Sequence, residues 1–343
     1  MAERLTERAV YILPLRWQHP DRGELTQYLV RLSSWIDVVV VDGSPAPVFA
    51  QHHDAWAGMV THVAPRPVRP DENGKAVGVV EGLRASRAPL VVIADDDVRY
   101  DRAGLERVLR LLEHADVVRP QNHFTALPWH ARWDTARSLI NRATAGDFPG
   151  TLGLRRAALD RGYDTRVLFE NLELLRTVRA GGGLEVRADD LFVGRRPPSA
   201  DRFLSQRVRQ AYDSQAQPVR LALELALLPL VVWAARRPRR AAALALATVL
   251  LAHRGRASAG GRAVFPASGV LLAPAWVLER AVCAWVALAV RMAGGVAYSG
   301  SRLPRAAHSE RWIRAARDRL SPLEPSTAAE PSTATLIAGK DAQ

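Results

Sequence analysis

The chain has 343 residues, with 47 Lys and Arg against 35 Asp and Glu and a formal charge of +12. That length allows one large domain with an appendage, or two domains, held together by burial, and the single cysteine excludes an internal disulfide framework or a cysteine-built zinc site and fits a reducing compartment. Nearly all the positive charge is arginine, Lys75 and Lys340 being the only lysines; this suits phosphate-bearing partners, but no nucleic-acid-binding pattern accompanies it, so nucleic acid is not among them.

The opening MAERLTERAV carries two glutamates and no long apolar core, which sets it apart from a secretory signal. AVYILPL (9–15) reads as a buried strand, followed by a helix near 22–34. WIDVVVVD (35–42) is a second strand ending in Asp42, where Gly43 and Ser44 favour a tight turn. A carboxylate there suits a ribose or a base, or simply starts the turn. THVAP (61–65) is a third strand. In RPDENGKAVGVVEGLRAS the helix runs 75–86, and Lys75 follows a glycine at its start. Backbone N–H groups and an ammonium at that point suit a diphosphate.

PLVVIADDDVRY follows, an apolar strand (89–95) running into Asp95, Asp96 and Asp97. Along an extended segment the outer two carboxylates point the same way. Two hard oxygen ligands suit Mg²⁺ or Mn²⁺, with the remaining shell from water or substrate phosphate; the alternative is an acidic turn. A helix is expected over 101–114, with Asp101 as N-cap, and a strand at ADVVRP (115–120). Alternating strands and helices imply a mostly parallel sheet covered on both faces, with ligands beyond the strands' carboxyl ends.

A helix from about 128 places Trp129 and Trp133 on one face, as an entrance for an amphiphilic acceptor, a bilayer-facing surface or plain core. His123 and His130 have no convincing metal-partner spacing. In FENLELLRTVRAGGG, Glu170 and Glu173 lie about 300° apart at helical spacing, so the cleft-facing one cannot be chosen from spacing. Both also complement the dipole of a helix that ends at Gly181–Gly183.

Beyond 215 the composition changes. VRLALELALLPLVVWAA (219–235) and AAALALATVLLA (241–252) are separated by RRPRR, and another apolar region spans 263–296. A spanning helix needs about 20 residues, so the second segment is too short by itself. The first two suit a hairpin dipping into one leaflet. The region reads as membrane-embedded with open topology; a helical soluble domain or dimer interface is the alternative. The Pro-, Ser- and Thr-rich 322–343 reads as a disordered tail.

The order of these motifs, VVDGS, a GK helix start, DDD, GDFPGTLGLRR, FENLELLRTVRAGGG and FLSQRVRQAYD, resembles the family 2 glycosyltransferases of the GT-A fold, especially membrane-attached, ceramide-glucosyltransferase-like members. The resemblance covers about 8–214. It implies an α/β, GT-A (Rossmann-like), mostly parallel sheet domain over 1–214, then hydrophobic membrane-associated helices over 215–300 and a polar C-terminal segment over 301–343. It implies that Asp42 contacts the nucleoside, Lys75 the phosphates, and Asp95 and Asp97 a divalent cation, with Asp96 beside the donor. Gln206 and Arg209 match the first and fourth positions of the QxxRW motif beside donor and acceptor.

Two departures stand out. Where many members carry Glu-Asp, with the Asp as base, this chain has Glu170-Asn171, so Glu170 or Glu173 must act, Glu170 matching the motif. Gln210 replaces the motif's Trp. The implied activity is metal-dependent, inverting transfer from a nucleotide-diphospho-sugar, a UDP-sugar foremost, to a lipid hydroxyl. The expected location is the inner cell membrane with the catalytic domain cytoplasmic. Transfer to a polyprenyl phosphate or a polysaccharide, and an inactive nucleotide-sugar-binding protein, are the alternatives.

Overall fold

In the computed structural model, which describes residues 4, 5, 8–298, 301–317 and 323, strand β1 (Ala9–Leu15) is buried at every position. It forms the middle of a parallel group with β2 (Asp37–Asp42), β3 (Thr61–Val63) and β4 (Leu90–Ala94). β-Branched residues covered on both faces explain the unbroken apolar runs. The sheet continues through β5 (Val98–Arg99), β6 (Val117–Phe124), β7 (Thr151–Arg155) and β8 (Glu185–Arg195), giving eight strands in the order β3-β2-β1-β4-β7-β6-β8-β5. β7 and β5 run against the other strands, so the sheet is mixed but mostly parallel.

Helices cover both faces. α1 (Glu24–Ser33) and α4 (Arg102–Leu111) pack on one side with Tyr11, Leu13 and Val92; α3 (Gly74–Ala85) and α6 (Glu170–Ala180) pack on the other with Ile12, Ile93 and Leu154. Asp101 caps α4 by accepting from Gly104 N at 2.7 Å, and the helix ends at Leu111, three residues short of the sequence expectation. Between β2 and β3 lies α2 (Ala46–Trp56), which sequence periodicity did not mark.

α5 (Trp129–Ala143) links the sheet to the C-terminal helices. Trp129 stays exposed against Phe203, whereas Trp133 is covered, its indole donating to Glu279 Oε2 at 2.6 Å. After α7 (Ala200–Ser205) and α8 (Arg207–Tyr212) come α9 (Pro218–Ala235), α10 (Pro238–Ala257), α11 (Ala267–Leu271) and α12 (Ala273–Met292). The α9 and α12 helices are long and apolar enough to cross a membrane, with mean hydropathy 1.7 and 1.5. The apolar 241–252 segment sits inside α10, whose Gly255 and Ala252 lie against α5. The expected α9–α10 hairpin therefore has one arm bound to the sheet domain.

The chain then returns. A β9 (Val296–Tyr298) and β10 (Ser301–Leu303) pair leads to α13 (Glu310–Ala316). Leu168 N and Phe169 N donate to Arg305 O and Ala306 O at 3.0 and 2.8 Å, so this segment packs beside the start of α6. Except for Leu323, the tail expected over 322–343 lies outside the described residues.

Candidate active site

A cavity of about 1330 Å³ opens beyond the carboxyl ends of β1, β2 and β4. Asp42, Lys75, Asp95, Asp96, Asp97, Glu170, Gln206 and Arg209 all line it. Glu173 does not lie on its wall.

Asp42 ends β2 and is buried. Ser44 N donates to its Oδ1 at 2.8 Å, while His52 Nδ1 and His62 Nε2 donate to Oδ2 at 2.7 and 3.2 Å. Burial pushes the carboxyl up, but the hydrogen bonds from His62, Ser44 and His52 outweigh it and hold it at about 2. His52 stacks on Trp56 at 4.4 Å and His62 on Phe49 at 4.3 Å, and Phe49 reaches the cavity. The two histidines escaped the sequence reading because α2 did.

Glu72 is clamped by Arg66 through contacts of 2.7 and 2.8 Å, which outweigh burial and hold its carboxyl at about 2. Both carboxyls titrate lower folded than unfolded, so their stabilisation is full above the ordinary carboxylate range and is lost as pH falls toward 2. Each contributes on the order of 2 kcal/mol. Denaturation midpoints should therefore fall steeply between about pH 4.5 and 2, and Asp42→Asn should flatten that fall; an unchanged slope would contradict it.

Lys75 sits in the first turn of α3. Asn73 caps that turn, its Oδ1 accepting from Lys75 N at 3.0 Å, while its Nδ2 donates to Val167 O and Leu168 O, both at 3.1 Å. Asn73 thus ties α3 to the approach to α6. The Lys75 ammonium bridges Glu170 Oε1 at 2.6 Å and Asp95 Oδ1. Burial opposes its charge, but the carboxylates of Asp95 and Glu170 win and keep it protonated well above the usual lysine range.

The three aspartates depart from the extended geometry expected of them. Val98 N donates to Asp95 O at 3.0 Å, which closes a tight turn between β4 and β5. The side chains fan out to separate partners. Asp95 meets Lys75, Asp96 Oδ2 accepts from the Trp17 indole, and Asp97 Oδ2 accepts from Arg195 Nε at 2.8 Å. Gly150 backs the turn: its carbonyl accepts from Asp95 N at 2.8 Å, and a Cβ there would stand 2.6 Å from Asp95 Oδ2. Arg195, at the end of β8, had no sequence signal, since its partner is a long-range strand neighbour.

Asp97 Oδ1 is buried and has no hydrogen-bond partner among the described residues. Burial lifts the Asp97 carboxyl, Asp95 and Asp96 add to the rise, and Arg195 only partly offsets it. Among the described residues no group of three or more His, Cys, Asp or Glu converges into a metal cage. Of the two expected cation ligands, Asp95 is taken up by Lys75 and Asp97 keeps Oδ1 open, so the arrangement fits a hard divalent cation that would take Asp97 Oδ1 and draw most of its shell from phosphate and water.

Glu170 and Glu173 separate cleanly. Glu170 faces Lys75 and accepts from Asn73 Nδ2 at 3.3 Å. Glu173 turns away from the cavity; its Oε2 accepts from His308 N at 2.7 Å and its Oε1 from His308 Nδ1 at 2.9 Å. The expectation that either carboxylate can serve the cleft is corrected for Glu173. Asn171 lines the cavity, with its Nδ2 donating to Pro149 O at 2.9 Å. Gln206 falls at the junction of α7 and α8, and Arg209 follows in α8.

No family model matches the sequence, and no curated protein matches it. Among solved structures, the mannosyltransferase PcManGT from Pyrobaculum calidifontis, in complex with GDP-Man and Mn²⁺, is 18% identical, with 83% of this chain and 89% of that chain covered and a TM-score of 0.48. The glucosyl-3-phosphoglycerate synthase from Mycobacterium tuberculosis is 17% identical, over 57% of this chain and 75% of that one, with a TM-score of 0.41. The same enzyme with Mn²⁺, UDP-glucose and phosphoglyceric acid is 15% identical, over 57% and 74%, with a TM-score of 0.40. These neighbours are nucleotide-diphospho-sugar glycosyltransferases.

Proposed function

We propose that this chain is a metal-dependent, inverting glycosyltransferase that moves a sugar from a nucleotide-diphospho-sugar, a UDP-sugar foremost, to a hydroxyl of a membrane lipid. The observation that carries this reading is the convergence of Asp42, Lys75, the Asp95–Asp97 turn, Gln206 and Arg209 on one cavity. Asp42 and Phe49 offer a nucleoside end, and Lys75 offers an ammonium near the phosphates. A divalent cation at Asp97 would offset charge that develops on the leaving diphosphate. The residues themselves orient the donor: the Lys75 bridge fixes Asp95 and Glu170, and Arg195 fixes Asp97.

The lipid acceptor is supported by what surrounds the site. Leu223, Leu230, Val232 and Trp233 on α9, Leu246 and Leu250 on α10, and Leu278, Val282 and Trp285 on α12 are all exposed. So broad an apolar surface marks a membrane or protein contact, and it directly follows the helices that carry Gln206 and Arg209. This supports a membrane location; the inner cell membrane, with the sheet domain on the cytoplasmic side, is part of the same proposal. A second reading, transfer to a lipid phosphate, is favoured by Asn171, whose amide cannot take a proton.

Purified protein in detergent should bind UDP or GDP only with Mg²⁺ or Mn²⁺ present, and should add sugar to a component of a membrane lipid extract. Calorimetry and mass spectrometry of the lipids check both. Cation-independent binding, or no binding and no transfer from a panel of UDP- and GDP-sugars, would sink the proposal.

A further inference from the structure

A hydroxyl acceptor needs a group to take its proton, and the residue at the motif's usual base position is Asn171. The remaining carboxylates on the cavity wall are almost all engaged. Lys75 bridges Asp95 and Glu170, the Trp17 indole and Arg195 hold Asp96 and Asp97, and His52, His62 and Arg66 hold Asp42 and Glu72.

Asp213 is the exception. It sits in the short 3₁₀ turn Asp213–Ala216, between α8 and the apolar α9. The structure shows no hydrogen bond and no ion pair to its carboxylate among the described residues. It lines the large cavity and also an adjoining one of about 120 Å³, which Phe148 and Phe169 share. It therefore stands where the donor cleft meets the apolar helices, the side from which a lipid hydroxyl would arrive.

The charged groups around it come from every neighbouring element. Arg209 on α8, Glu170 on α6, Arg220 on α9 and Arg280 on α12 act on it, and Arg137, Asp147 and Arg195 line the smaller cavity, where Asp147 is paired with Arg137. Burial dominates and, with Glu170 reinforcing it against Arg209, Arg280 and Arg220, pushes the carboxyl up to about 7. A base with that value is half ionised at neutral pH and matched to proton transfer.

We propose that Asp213 is the catalytic base of the transfer, in the role that Asn171 cannot fill. This rests on the nucleotide-sugar reading above. The acceptor oxygen forms a bond to the anomeric carbon. The bond from that carbon to the β-phosphate oxygen breaks, and its electron pair leaves with the nucleoside diphosphate. The hydroxyl proton passes to an Asp213 carboxylate oxygen and from there to water. Glu170 stays paired with Lys75 and positions it.

The test uses the full chain in detergent, as wild type, Asp213→Asn and Asp213→Glu, with transfer to the lipid acceptor and Mn²⁺-dependent UDP binding measured on the same samples. Asp213→Asn should lose about 100-fold or more in kcat while UDP affinity and melting temperature hold. Asp213→Glu should keep part of the rate, with the acid limb of its pH profile displaced from the wild-type position. Near-wild-type kcat in Asp213→Asn, or loss of UDP binding in step with activity, would overturn the assignment. A wild-type chain that binds no UDP or GDP with cation would instead overturn the nucleotide-sugar reading itself.

Discussion

Replacing Asp97 with Asn should reduce transfer by about 10²–10³-fold and should abolish the cation dependence of nucleotide binding. Asn keeps an oxygen that can accept from Arg195 Nε, as Asp97 Oδ2 does now at 2.8 Å, so the β4–β5 turn should stay folded. What disappears is the negative charge and the second oxygen, Oδ1, which no group among the described residues uses. A loss of that size corresponds to about 3–4 kcal/mol of transition-state stabilisation. Asp96→Asn is the matched control. Its carboxylate accepts from the Trp17 indole, a bond an amide oxygen can preserve, so its effect should be much smaller. Comparable losses in the two variants, or Mn²⁺-dependent UDP binding that survives in Asp97→Asn, would contradict the cation assignment.

The second large effect is structural. Gly255→Ala should destabilise the fold by about 3 kcal/mol, although alanine favours a helix over glycine by about 1 kcal/mol. A Cβ at this position would lie 1.8 Å from Leu139 O and 3.1 Å from Ala143 N, so α10 and α5 touch backbone to backbone. No side-chain rotation relieves such a contact; the helices must part. Parting them also strains Arg142, which donates to Gly255 O at 3.1 Å and Ser258 O at 2.8 Å while reaching Asp189 O at 2.8 Å. The expected readout is a melting temperature lowered by several degrees. An unchanged or raised melting temperature would mean that α10 is not anchored in this way.

The parallel half of the sheet was legible because its strands are covered on both faces and so read as unbroken apolar runs; β1 was located to the residue. β8 was not, since the buried positions of EVRADDLFVGR, Ala188, Leu191 and Val193, keep no period of two and its pairing with β6 slips between Pro120 and Gln121. α2 begins at a proline pair and lacks a continuous apolar stripe, so His52 and His62 went unread with it. At the cavity, residue types and order pointed to Asp42, Lys75, the aspartate turn, Gln206 and Arg209. Local spacing had nothing to say about their partners. Helical geometry allowed only one of Glu170 and Glu173 to face the cleft squarely; the choice between them is made by Lys75 on one side and by His308 on the other, 135 residues beyond Glu173.

That contact between Glu173 and His308 also sets a schedule for synthesis. His308 stacks on Trp312 at 3.6 Å, Arg176 donates to His308 O at 2.6 Å, and Tyr212 donates to Pro304 O at 2.8 Å. At about 5–20 residues per second, the ribosome needs on the order of ten seconds to cover that interval. Throughout it α6 has emerged without its clasp, while α9, α10 and α12 are being made. The wall of the cavity that carries Glu170 is thus finished last, after the apolar helices, and a ribosome stalled in that interval would leave a nascent chain with its sheet complete and that wall still unclasped.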